Sequence, residues 1–123
     1  MSKTITGVID MPFVNFSDLD TIEELLEFLI EEGILNLSVT TLSRHEQYIK
    51  IKEGIYHWLE IHSNGTIKFD DMYEKRKNEI LDAIQEYYPQ FKTAKDIIEE
   101  NHIREYKMHM DKEKEELLVE VEL

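Results

Sequence analysis

Apolar positions along this chain switch between a helical and a strand period, and the switches mark its elements. Ile22, Leu25, Leu26, Leu29 and Ile30 fall at i, i+3, i+4, i+7 and i+8, one stripe of an amphipathic helix. Asp20 with Glu23 three residues on reads as a capping-box start, and Gly33 as the left-handed residue that stops the helix. At about 100° per residue, Glu23, Glu24, Glu27 and Glu31 fill the opposite arc. Phe28 falls in that outer arc too, between Glu24 and Glu32.

From Gln47 to Asp70 the period shortens to two. The runs QYIKIK, IYHWLEIH and IKFD are separated by Glu53-Gly54 and by Asn64-Gly65, the strongest short signal for a hairpin turn. The middle run is apolar on both alternating faces, as expected of a central strand. If both turns are two-residue loops, Ile51 opposes Tyr56, Ile49 opposes Trp58, His62 opposes Ile67 and Glu60 opposes Phe69. That register gathers Ile49, Ile51, Tyr56, Trp58, Ile67 and Phe69 on one face, the predicted core face.

The flanking pattern fills in the rest. Lys3 to Met11 alternates as a first strand ended by Pro12, and Leu35 to Ser43 alternates through Leu37, Val39 and Thr41. Asp71 to Tyr88 has helical spacing, with Tyr73, Ile80, Ile84, Tyr87 and Tyr88 on one face. Pro89 is expected to stop it. Thr93 with Asp96 predicts a third, short helix to about Asn101. Glu105 to Asp111 and Leu117 to Leu123 alternate as a final hairpin around Lys112 to Glu116. The order β-α-ββββ-α-α-ββ predicts one α+β domain over residues 1–123, a mostly antiparallel sheet packed with two longer helices and one short one.

Charge changes this picture. The 123 residues carry 14 basic and 27 acidic side chains, a formal −13, and no cysteine. Disulfides and thiolate metal sites are excluded. Residues 1–43 hold Lys3 against Asp10, Asp18, Asp20, Glu23, Glu24, Glu27, Glu31 and Glu32, while residues 44–69 are close to neutral. Direct binding of nucleic acid is disfavoured, since phosphates need cations. Fast, salt-sensitive attraction to a basic protein surface is favoured. No stretch is apolar enough for a membrane span or a signal peptide, so the expectation is a cytoplasmic protein of a bacterial or phage-infected cell.

No catalytic signature accompanies these elements. The four glycines form neither a P-loop nor a dinucleotide fingerprint, and there is no HExxH, EF-hand loop or nucleophile elbow. His102, His109 and Glu105 would cluster only if their segment were helical, and the strand pattern argues against a metal site there. Glu60 and His62 share a strand face and could make an acid–base pair. In size, charge and richness in Ile, Lys, Glu, Asn and Tyr the chain resembles the small acidic inhibitors of phages and other mobile elements: anti-CRISPR proteins, DNA mimics and toxin-immunity proteins. No motif carries the likeness residue by residue. The expectation is a non-catalytic, cofactor-free inhibitor whose partner-binding residues are Glu23, Glu24, Glu27, Phe28, Glu31 and Glu32, facing a basic nuclease or other nucleic-acid-binding protein. The alternatives are a toxin-immunity protein, an accessory subunit, or a small enzyme or ligand-binding domain using the Tyr56/Trp58/Glu60/His62 face. The inhibitor reading requires that face to be buried core and the acidic face of the first helix to be exposed; the enzyme or ligand-binding reading requires that Glu60 or His62 line a concave pocket.

Overall fold

Two short loops decide which way the central sheet faces. The structure, a computed structural model, describes residues 3–37 and 40–122. β3 (Tyr48–Glu53), β4 (His57–His62) and β5 (Thr66–Asp70) form an antiparallel meander where the alternating pattern predicts one. Its register is not the one drawn for two-residue turns. Glu53 pairs with His57, so Gly54, Ile55 and Tyr56 make a three-residue loop. Ser63, Asn64 and Gly65 make the next one. Gly54 and Gly65 have φ of +77° and +85°, the left-handed residue that a three-residue hairpin loop requires.

Each register is displaced by an odd number of residues from the predicted one, and an odd shift exchanges the two faces. Ile51 therefore faces Leu59, Ile49 faces Ile61, Phe69 faces Leu59 and Ile67 faces Ile61. These side chains are the buried ones. Trp58, expected in the core, stands on the opposite face across from Lys52, and Tyr56 is in the loop and 65% exposed.

β1 (Thr4–Val8) joins β5, and β2 (Thr40–Arg44) joins β3, giving a five-stranded antiparallel sheet in the order β1-β5-β4-β3-β2. Of the predicted Leu35–Ser43 strand, Leu35 and Leu37 are buried ahead of β2, and Val39 lies outside the described residues.

α1 (Leu19–Glu31) and α2 (Glu74–Glu100) lie over the buried sheet face and pack on each other. The α1 cap is Asp18 rather than Asp20: its carboxylate accepts from the Thr21 N–H at 3.2 Å and from the Thr21 hydroxyl at 2.6 Å. The stripe of Ile22, Leu25, Leu26 and Leu29 is fully buried.

A single turn of 3-10 helix, Asp71–Tyr73, leads into α2, which runs unbroken through Pro89. The predicted stop and third helix are therefore one helix. An interior proline costs about 3 kcal/mol. Beyond it α2 buries Phe91, Ala94 and Ile98 in continuation of Ile80, Ile84 and Tyr88. Large apolar side chains contribute roughly 1.5–3 kcal/mol each, so their burial outweighs the proline. Pro89 and Gln85, whose carbonyl loses its partner, both face solvent.

β6 (Tyr106–Asp111) and β7 (Glu116–Val121) form the predicted hairpin as a separate two-stranded sheet, and Leu123 lies outside the described residues. Met110 reaches the core from it, with Met108 and Leu117 packed alongside. The whole is a single α+β domain.

Candidate partner-binding cleft

α1 meets α2 on one flank, and the hairpin crosses α2 beside that contact. Between them lies a cleft of about 400 Å³. Glu24, Glu27 and Glu31 come from one side of α1 and Glu32 from its C-terminal cap, Phe91 and Lys95 from α2, and Tyr106 and Met108 from β6. Helical spacing puts the glutamates on successive turns along one rim.

Phe28 is corrected from exposed anchor to cleft floor. Only 9% of its surface is exposed, and its ring meets Phe91 edge to face, with centroids 5.6 Å apart and planes at 80°. The outer arc of α1 is outer only with respect to the sheet. α2 covers a second side of the helix, and Phe28 points into that contact. Of the residues predicted to bind a partner, Glu24, Glu27, Phe28, Glu31 and Glu32 thus share one cleft. Glu23 does not line it.

The charges of the rim are unequally answered. Lys95 pairs with Glu24, and this hydrogen bond holds the ammonium above its ordinary range against the opposing effect of burial. Among the described residues, no cation lies within ion-pairing distance of Glu27, Glu31 or Glu32. The Lys112 ammonium stands nearby, beside Gly33 at the end of α1. Glu23 has its carboxyl pushed above the usual range, first by partial burial and then by repulsion from Glu27, with Arg44 acting the other way.

Chemically, the cleft sets carboxylates above an aromatic and aliphatic floor. Carboxylates on a rim suit guanidinium or ammonium groups. A floor of Phe28, Phe91 and Met108 suits the aliphatic stems that carry those groups. Its volume lies at the small end for ligand sites and accommodates side chains rather than a whole helix.

The alternative site is on the outer face of the large sheet. The His62 imidazole does lie 3.0 Å from Glu60 Oε1, and Lys50 lies 3.6 Å from Glu60 Oε2. Lys50 also stands 4.9 Å from the Trp58 ring centre, and His45, Tyr48 and His62 stack in a row. The face is an open sheet surface, and neither Glu60 nor His62 lines the grooves beside the helices and hairpin. Tyr56, in its loop, is no part of it. His102 and His109 form no cluster of three candidate metal ligands among the described residues, nor do any others. Among the described residues no helix is long and apolar enough to cross a membrane.

No protein-family model, curated protein or solved structure matches this chain. The sequence pattern missed the parts of the cleft that come from afar: Phe91, Lys95, Tyr106 and Met108. Their only local signal is the alternation of Tyr106 and Met108, which marks a strand face without saying what it covers.

Proposed function

We propose that the protein is a non-catalytic interaction protein that inhibits a basic partner by taking its cationic side chains into the acidic cleft. One observation carries the reading. Glu27, Glu31 and Glu32 rim a concave, aromatic-floored site with no ion-pair partner of their own among the described residues. An exposed ion pair contributes only about 0–1 kcal/mol. Carboxylates grouped over an apolar floor act chiefly by steering encounter and by partly desolvating the cation they receive. Arginine- and lysine-lined grooves of nucleases and other nucleic-acid-binding proteins have the complementary chemistry, as in the anti-CRISPR and DNA-mimic inhibitors that the chain resembles. A toxin-immunity role would use the same cleft.

The test is capture from bacterial lysate on immobilised protein at about 50 and about 500 mM NaCl, which differ severalfold in screening length. Wild type is compared with the Glu27→Lys/Glu31→Lys/Glu32→Lys variant. The expected result is a basic protein retained by wild type at low salt, released at high salt and not retained by the variant. Retention by both proteins at both salts would overturn the reading.

A further inference from the structure

Where the hairpin crosses α2 it leaves a second groove, on the side away from the acidic cleft. Thr93, Ala94 and Ile97 of α2 form one wall and Leu117, Val119 and Val121 of β7 the other, around about 530 Å³. Ile97 is 50% exposed and Val121 44%. The groove ends at the edge of β7 that, among the described residues, no strand covers; β6 is bonded to the other edge.

That edge already holds one amide group. The Leu117 N–H points away from β6 and donates to Gln90 Oε1 at 3.1 Å, while Gln90 Nε2 donates to the Glu115 carbonyl at 3.5 Å. The carboxamide of Gln90 thus occupies the place that a peptide group of an added strand would take. Antiparallel ladders alternate, so Val119 and Val121 turn their N–H and C=O groups to the same edge as Leu117. The intervening direction is confirmed at the strand end, where the Glu122 N–H bonds back to Glu105 of the partner arm. Among the described residues, no side chain bonds the edge groups of Val119 or Val121.

The two faces of β7 specify what fits beside it. Leu117, Val119 and Val121 point into the groove; Glu116, Leu118 and Glu120 point to the far face, with Glu122 following. We propose that the free edge of β7 is a strand-addition site for an extended segment of a partner protein that alternates apolar and Lys/Arg residues. The apolar side chains of that segment enter the groove beside Ile97, and its cations lie across from Glu116 and Glu120, where opposite charges on neighbouring strands stabilise the pair; Glu122 is already paired with Lys107 at 3.6 Å. A second copy of this chain fits poorly. Antiparallel pairing centred on Val119 would set Glu116 beside Glu122 and Leu118 beside Glu120, between two chains of net charge −13 each.

The test uses the full-length, 15N-labelled protein and a synthetic peptide of about eight residues alternating valine and lysine, the length of an ordinary strand. Hydrogen exchange should slow at the Val119 and Val121 amides when the peptide is added. A peptide alternating valine and glutamate, and a valine–lysine peptide with a central proline, should each bind at least about tenfold more weakly. Ile97→Ser, on the exposed side of α2, should weaken this protection severalfold, whereas Glu27→Gln/Glu31→Gln should leave the slowing at Val119 and Val121 in place. Three results would overturn the proposal: no slowing at Val119 and Val121, with binding lost in the Glu27→Gln/Glu31→Gln variant, which would place the peptide in the acidic cleft alone; equal binding of the valine–glutamate peptide; or protection of the same amides without peptide in a sedimenting dimer, which would make the occupant a second copy.

Discussion

The acidic cleft and the outer face of the large sheet are both rich in charge, but only one of them is self-contained. On the sheet, Glu60 is bracketed by Lys50 and His62, Lys50 leans on Trp58, and Lys68 stands across from Glu60 in the next strand. On α1, Lys95 answers Glu24 and the next three glutamates along the rim have no such partner among the described residues. The difference teaches where to look for a partner. Charges paired within the molecule must be unpaired before they can serve another protein, and each unpairing subtracts from affinity. Charges left unpaired at a concave surface carry no such debit, and their mutual repulsion falls when a cation arrives.

The largest expected effect separates the two regions by their aromatic residues. Phe28→Ala should lower folding stability by about 3–5 kcal/mol, because it empties the contact between α1 and α2. Urea unfolding would measure it, and a loss under about 1 kcal/mol would mean that Phe28 is free to act as a surface anchor. Next comes association. Glu27→Lys/Glu31→Lys/Glu32→Lys should slow binding of a captured partner by about tenfold or more while leaving urea stability near wild type, since these side chains lie outside the buried stripe. Surface plasmon resonance resolves the on-rate, and Lys50→Glu/Lys68→Glu on the sheet should not slow it. Trp58→Ala should lower stability by less, about 1–3 kcal/mol, because the indole is only partly buried on the outer face and rests against Lys50. A loss near that of Phe28→Ala would remove the distinction between the two faces.

The smallest effect concerns Glu23. Its carboxyl is held above the ordinary range in the folded protein, so ionising it works against folding. The favourable contribution of the protonated form is complete below the unfolded value and disappears as pH rises through the folded one. Glu23→Gln should therefore raise stability by a few tenths of a kcal/mol near neutral pH. The gain should vanish in acid, where Glu23 is protonated in both states. Thermal unfolding across that pH range measures it.

Phe28, Trp58 and Pro89 show what could be read from the sequence and what could not. The stripe from Ile22 to Leu29 is local and strongly periodic, so α1 was legible together with the glutamates that ride on it. The burial of Phe28 depends on α2, which arrives from far along the chain. The face of Trp58 depends on one extra residue in each loop, a difference that Glu-Gly and Asn-Gly do not encode. Pro89 obeys its local rule until tertiary burial on both sides of it outweighs that rule. The acidic half of the cleft was therefore visible and its floor was not, and the free edge of β7 became visible only with Gln90 in place.

The strand order also carries a history. β3, β4 and β5 meet through three-residue loops, so the meander closes with little loss of chain entropy. β1 pairs with β5 across most of the large sheet's sequence, at an edge, with Val8 82% exposed and Ile5 38%. Beyond its ladder, a reciprocal clasp holds its start: the Lys3 N–H donates to the Asp71 carboxylate at 3.2 Å and the Asp71 N–H to the Lys3 carbonyl at 2.9 Å. The pairing of β1 closes a far longer loop than either hairpin of the meander, so it costs more chain entropy to form. β1 covers the outer edge of β5, so the clasp between Lys3 and Asp71 pins the strand that closes this border of the large sheet.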